Sequence, residues 1–248
     1  MKKGLKIALL ILLSIILFFV FCVGFYFINF QNATKDMKPL ESGMINENIY
    51  AIKDSFANIY LIKSNNGYIA IDSGINEVNI TNELKKLNID SSLIHTLLLT
   101  HSDYDHIGGK SAFKNAKIYI SEKEELLVTG KVARKFFMKN KIDLKYSIIK
   151  DEEILEIDGV KIKCLIVPGH TYGSASYLVN DKFLFTGDNL SIDKTGAIGL
   201  FPDFFNNNTK LQRESLEKLS KLEGVELILT GHHGITTNFD SLNNFKQK

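Results

Sequence analysis

Three features of this 248-residue sequence predict a layered α/β domain behind a single membrane-spanning helix. Residues 7–30 form an uninterrupted apolar run, and from residue 49 onward short β-rich segments are interspersed with helical periodicity. Polar clusters at Asp72, His101–His106, His170, Asp188 and His232 each close a strand-like segment, which is where open α/β architectures bind ligands.

The apolar run, "IALLILLSIILFFVFCVGFYFINF", holds about 24 positions without charge. A helix rising ~1.5 Å per residue crosses the hydrocarbon core with ~20 of them. Lys2, Lys3 and Lys6 precede it, so the positive-inside bias keeps the N-terminus cytoplasmic and the remainder outside. A cleaved signal peptide has a shorter core of ~7–15 residues and a small-x-small exit. Here the exit, "GFYFINFQNATKD", is bulky and aromatic, which favours an uncleaved anchor. No small residues precede Cys22, so lipid attachment there is not expected. The expected organisation is an anchor and tether over residues 1–38, with its helix at about 7–30, and a single folded domain over 39–248.

Without residues 1–38 the chain carries 25 basic and 27 acidic residues, a formal net charge of −2. That balance offers no basis for general nucleic-acid affinity. Cys164 has no partner outside the apolar run and reads as a small buried residue in "VKIKCLIV", so disulfides do not hold the fold.

Following the tether, "NIYAIKDSFANIYLIKSNNGYIAIDSG" gives two or three β-rich segments, with Asn65-Asn66-Gly67 as a turn. "INEVNITNELKKLNI" has apolar residues at helical spacing and lysines in its last turns. "IHTLLLT" is a continuous apolar strand, "SAFKNA" begins a short helix or turn, and "KIYIS" is a strand. "EKEELLVTG" and "KVARKFFMKNKI" read as helical, and "EILEIDGVKIKCLIVP" as a hairpin around Asp158-Gly159. The strands "ASYLV" and "KFLFTGD", the helix "NTKLQRESLEKLSKL" and the strand "VELILTGHHG" complete the chain.

Chemistry concentrates in "THSDYDHIGG", residues 100–109, directly after a buried strand. In a turn leaving a strand, His101 and Asp103 can project together while Asp105 and His106 project elsewhere, so one loop can feed two neighbouring metals. Carboxylates bind hard cations through oxygen, and neutral imidazole suits zinc or iron. Taken alone, the loop also fits helix-capping aspartates beside incidental histidines. The distant clusters "PGHTYGSASY", "FTGD" and "LTGHHG" weigh against that, because together with this loop they hold five of the six histidines.

Together with "IDSG", these segments resemble the metallo-β-lactamase-fold hydrolase superfamily, in order and at plausible spacing across nearly all of residues 45–240. The resemblance implies a four-layered αββα sandwich with a dinuclear metal site at one edge. It implies that His101, Asp103 and His170 hold one metal, that Asp105, His106 and His232 hold the second, and that Asp188 bridges them. Asp72 falls where the family keeps an aspartate near the site, to orient ligand histidines. His233 is expected to be a neighbour rather than a ligand, and His95 to be structural. The usual motif is HxHxDH, and this chain has HxDxDH. An acidic residue there resembles the flavodiiron branch, but the sequence ends soon after His232, so a full flavodiiron oxidoreductase is not expected. Zinc is the expected metal, and the extra carboxylate of Asp103 opens the site to manganese or iron.

Two divalent ions so held lower the pKa of bound water to around 7, which implies hydrolysis of an ester, thioester, lactone, lactam or phosphodiester. Asp105 is expected to orient the nucleophile or shuttle its proton besides serving as a ligand. The "PGHT" and "GHHG" segments are closer to the glyoxalase II branch than to true β-lactamases, many of which have cysteine at the bridging position. A β-lactamase or phosphodiesterase of the same fold is the alternative enzyme. A membrane-tethered, non-catalytic metal-binding module is the alternative of another class. The expected partners are a small-molecule or cell-envelope substrate and the membrane. The basic segment "KVARKFFMKNKIDLK" reads either as a solvated helix face or, through Phe136, Phe137 and Met138, as a lid over the site.

Overall fold

The computed structural model describes residues 3–134, 140, 142–143 and 145–245. The chain divides between Asp36 and Met37 into two compact units. The first is a single helix, α1 (Lys3–Thr34), whose 32 residues include none that are buried. It runs past the apolar stretch, and polar side chains near its end bond back to carbonyls one turn earlier. Asn29 Nδ2 donates to Phe25 O at 2.7 Å and Thr34 Oγ1 to Phe30 O at 3.0 Å. The helix is long and apolar enough to cross a membrane.

The second unit holds two sheets. The first has seven strands in sequence order: β1 (Gly43–Asn46), β2 (Ile49–Asp54), β3 (Ala57–Ser64), β4 (Gly67–Ile71), β5 (Ile94–Leu98), β6 (Lys117–Ser121) and β7 (Tyr146–Ile149). β1 to β4 form antiparallel hairpins, and β4 to β7 pair in parallel. The second sheet uses β8 (Ile154–Ile157), β9 (Val160–Ile166), β10 (Ala175–Val179) and β11 (Phe183–Gly187). A small hairpin of β12 (Leu190–Ile192) and β13 (Ile198–Leu200) precedes β14 (Leu227–Thr230) and β15 (Ile235–Thr236), giving the order β15-β14-β11-β10-β9-β8. The β8–β9 turn has Asp158 at φ 51° and Gly159 at φ 83°, the paired left-handed residues of a tight hairpin.

Side-chain alternation explains the layers. Along β3, Tyr60 and Ile62 face a core shared with Cys164, Tyr177 and Phe185 of the opposite sheet, while Ile59 and Leu61 face a second core. That second core is roofed by α2 (Glu77–Lys86) through Ile80 and Leu84. On the far sheet, Leu165, Leu184 and Ile228 pack against Leu216 and Leu219 and the C-terminal Leu242 and Phe245. Strands covered on both faces read as continuous apolar runs, which is why "IYLI" and "TLLL" show no polar alternation. The result is an αββα sandwich. Its outer helix begins at Asn76, whose side chain accepts from Val78 N and Asn79 N, and the Asp54 carboxylate ties that start to the end of β2.

Several helices are shorter than the sequence suggests. "SAFKNA" supplies only the 3₁₀ turn Lys110–Ala112, and "EKEELLVTG" only α4 (Glu125–Val128), after α3 (Tyr104–Ile107). The long C-terminal helix is split into α5 (Thr209–Ser215) and α6 (Glu217–Ser220). At the split, the Ser215 hydroxyl bonds back to Leu211 O at 2.9 Å and reaches across to Pro168 O at 2.5 Å, a pattern that bends helices. Residues 131–134 are not helical. The lid reading of Phe136, Phe137 and Met138 falls outside the described residues.

The two sheets are tied at one edge. Tyr177 donates to Leu99 O at 2.8 Å and Ala175 N to Thr100 O at 2.8 Å, so the loop leaving β5 lies against the start of β10. The C-terminal ends of β4, β5, β9, β11 and β14 each lead into one polar cluster.

Candidate metal centre

Short loops deliver each side chain. β4 runs into Asp72, which holds a left-handed backbone at φ 60°. β5 runs into His101, and Asp103 stands at the N-cap of α3, the single turn that carries Asp105 and His106. Asp103 makes no capping hydrogen bond with its side chain, which leaves the carboxylate for other partners. β9 leads to His170, β11 to Asp188 and β14 to His232. Glycines permit the crowding: a Cβ on Gly231 would lie 2.4 Å from Asp188 Oδ1, and one on Gly187 would lie 2.4 Å from Thr100 Oγ1.

Each imidazole is held through Nδ1. His106 Nδ1 lies 2.8 Å from Asp72 Oδ2, and His101 Nδ1 lies 3.1 Å from Thr100 Oγ1, which itself donates to Asp72 Oδ2 at 2.8 Å. His170 Nδ1 lies 3.1 Å from Asn206 Oδ1, and His232 Nδ1 lies 2.7 Å from Phe56 O. Fixing Nδ1 in this way sets the tautomer and aims Nε2 inward.

The inward atoms form two triangles. His101 Nε2 and His170 Nε2 are 3.2 Å apart, and Asp103 Oδ2 lies 3.6 and 3.4 Å from them. His106 Nε2 and His232 Nε2 are 3.4 Å apart, and Asp105 Oδ2 lies 3.8 and 3.4 Å from them. Ligand atoms at about 2.0–2.2 Å from a tetrahedral ion stand about 3.3–3.6 Å apart, so the edges of both triangles are close to this spacing. Asp188 Oδ2 touches both sets, at 3.5 Å from His170 Nε2 and 3.2 Å from His232 Nε2. Asp188 Oδ1 is buried without a hydrogen-bond partner among the described residues, 3.4 Å from His106 Nε2. A buried carboxylate oxygen facing imidazole nitrogens lacks the partner that a cation would supply. The donor set, imidazole nitrogen with carboxylate oxygen, therefore fits divalent metal.

The structure thus brings together all seven residues expected as ligands, with Asp72 behind His101 and His106. His233 packs its ring edge-on against Phe201 at 5.9 Å, and His95 is exposed on β5. Cys164 is buried in the intersheet core, where burial pushes its thiol pKa up and leaves it inert.

Sequence reasoning did not find Arg134, Glu124 or Asn206. Buried Glu124 accepts from Ser102 N (2.8 Å) and Oγ (2.6 Å), Thr171 Oγ1 (2.7 Å) and Gly173 N (3.0 Å), clamping the His101 loop to the His170 loop. Arg134 pairs with Asp103 through two nitrogens. Nothing in the motif pattern marks Glu124 or Asn206, which come from loops distant in sequence. Arg134 did carry a signal, since it is one of only two arginines in a chain whose other basic residues are lysines.

Burial alone lowers the pKa of His232, but the carboxylates of Asp188 and Asp105 outweigh it and push the value up to about 10. His106 is raised in the same way by Asp188, Asp72 and Asp105. His101 is held well below its usual value by burial and by the neighbouring imidazoles. Despite burial, Asp188 is held low by His232 and His106. In the metal-free protein, protons on His106 and His232 thus balance the carboxylates. A raised pKa keeps those protons bound through neutral pH, so a metal must displace them and its affinity should rise as pH climbs toward about 10. Zinc titration by calorimetry near pH 7, in two buffers of different ionisation enthalpy, should show at least one proton released per chain. Heats independent of the buffer would contradict this.

Comparison with known proteins agrees with this geometry. A family model described as the metallo-beta-lactamase superfamily matches residues 52–232. A probable metallo-hydrolase of Methanocaldococcus jannaschii is 34% identical over 169 residues, covering 67% of this chain and 71% of that protein. A hydroxyacylglutathione hydrolase of Dictyostelium discoideum is 26% identical over 199 residues, covering 76% of this chain and 65% of that protein. Among solved structures, a beta-lactamase from Chitinophaga pinensis superposes with a TM-score of 0.62 at 26% identity, covering 78% of each chain. The chain belongs to the metallo-beta-lactamase superfamily and is a metal-dependent hydrolase of that family.

Proposed function

We propose that this hydrolase is membrane-anchored and cleaves an ester, thioester, lactone or similar bond at a dinuclear centre. The observation that carries the reading is the pair of ligand triangles sharing Asp188. His101, Asp103 and His170 would hold one ion, Asp105, His106 and His232 the other, and Asp188 both, with zinc favoured by the four imidazoles. Bound divalent ions supply Lewis acidity, polarising a substrate carbonyl and making water acidic near neutral pH.

The protein's own groups do the rest. The carboxylate of Asp105 orients the attacking water and accepts its proton. Asp72 keeps Nδ1 of His106 in place directly, and that of His101 through Thr100. Phe56 stacks on His232 at 5.7 Å between centroids while remaining 46% exposed, which puts an apolar surface beside the centre. That surface suits the apolar arm of an acyl substrate better than a charged polymer. The hydroxyacylglutathione hydrolase relative supports the same acyl-transfer branch.

For the anchor, Lys2, Lys3 and Lys6 precede the apolar run of α1, and the positive-inside bias supports an orientation with residues 37–248 outside the cytoplasm. Protease added to intact cells should remove the domain. A fully protected domain, or a mature chain lacking α1, would overturn the topology.

The catalytic reading is tested on zinc-loaded full-length protein in detergent with thioester, ester, lactone, β-lactam and phosphodiester substrates. At least one acyl substrate should be hydrolysed in a chelator-sensitive way, and Asp188→Asn should lower that turnover by orders of magnitude with the circular dichroism unchanged. Parent-like turnover in Asp188→Asn would end the dinuclear mechanism. Full metal occupancy without hydrolysis of any substrate would favour the binding module.

A further inference from the structure

We propose that Arg134 is a positioning residue for the first ion's ligand set, and that Asp103 and Arg134 act as one unit in the place where the common motif has a histidine. The inference rests on the reading of His101, Asp103 and His170 as ligands.

The contacts are specific. Arg134 is 7% exposed. Its Nε donates to Asp103 Oδ1 at 2.8 Å and its Nη2 to Asp103 Oδ2. Nη1 donates to the backbone carbonyl of His170 and, at 3.0 Å, to Asn207 Oδ1, so one guanidinium fastens Asp103 to the loop carrying His170. Asn140 Nδ2 adds a bond to Asp103 Oδ1 at 2.7 Å. A carboxylate oxygen has two lone pairs. Oδ2 can therefore serve the guanidinium with one while the other faces His101 Nε2 and His170 Nε2, at 3.6 and 3.4 Å.

A carboxylate at the N-cap of α3 is free to turn back and cap that helix, and the guanidinium fork is what holds it toward the triangle. Lysine, a compact point charge without a planar fork of donors, cannot hold both oxygens in one plane, which explains an arginine in a lysine-rich chain. The arginine also returns the positive charge that separates a carboxylate ligand from a neutral imidazole. With that charge offset, the first set need not favour hard ions as Asp103 alone suggests. A histidine at position 103 would leave Arg134 buried without its anion and facing a dication, an expensive arrangement.

The opposing possibility is built into the same contacts. Arg134 Nη2 lies 3.3 Å from His170 Nε2, where it could instead compete with the ion for its ligands. The test is zinc affinity of the full chain in detergent by chelator competition, together with cobalt(II) absorption spectra. The variants are Arg134→Met, Arg134→Lys, Asp103→His and Asp103→His/Arg134→Met, with metal-free melting recorded for each. Arg134→Met and Arg134→Lys should each weaken one of the two ions by about 10–100-fold. Asp103→His should weaken the same ion, and the double variant should recover most of the loss. Arg134→Met binding zinc as tightly as the parent, or more tightly, overturns the proposal. So does Asp103→His binding well while Arg134 remains, or a drop in metal-free melting with both affinities unchanged. A parent chain that takes up only one ion would instead overturn the ligand assignment beneath it. If Arg134→Met does not fold, Arg134→Lys and the double variant decide.

Discussion

The centre depends on one buried carboxylate. Asp72 accepts from Thr100 N and Thr100 Oγ1, each at 2.8 Å, and pairs with His106 Nδ1, also at 2.8 Å. Through those bonds it fixes the first residues after β5 and one imidazole of each ligand triangle. It does so from a left-handed backbone that aspartate tolerates better than most residues. An asparagine there would present an NH₂ group to at least one donor, so acceptor capacity, and not size, is what the position requires. Asn206 and the Phe56 carbonyl repeat the device for His170 and His232. With Nδ1 fixed on all four rings, the inward direction of each Nε2 follows from the fold.

That preorganisation carries an electrostatic cost. Asp188 and four imidazoles sit almost out of water, where an isolated carboxylate is strongly unfavourable. In the metal-free chain, protons on His106 and His232 offset the buried anions, and Arg134 offsets Asp103. Metal and protons therefore occupy the same electrostatic role at the second triangle, whereas a fixed cation flanks the first. Two chemically similar halves of one centre are thus balanced by different means.

How much was legible from sequence follows from where the determinants lie. The positions expected as ligands could be picked out because each cluster follows a strand, and because His101, Asp103, Asp105 and His106 fall in a single loop with a recognisable spacing. The layers were readable because runs such as "IYLI" are apolar on both faces. Helix lengths were not: periodicity near residues 209–220 continues through Ser215, whose hydroxyl bonds back to Leu211 O and across to Pro168 O in another segment. Glu124 and Asn206 were invisible because a lone acid or amide carries no period, and each acts across long sequence separations. Asp103 stood out in the sequence only as a departure from the family motif. Its partner Arg134 lies 31 residues away, and the fold is what shows the two as a pair.

The most direct measurement is anomalous diffraction at the zinc edge from crystals of the full chain grown with zinc. The account predicts two peaks about 3.5–4 Å apart, each beside Nε2 of two histidines, with the Asp188 carboxylate between them and Asp103 Oδ2 on the first. A single peak, coordination through Nδ1, or ions bound away from Asp188 would contradict it.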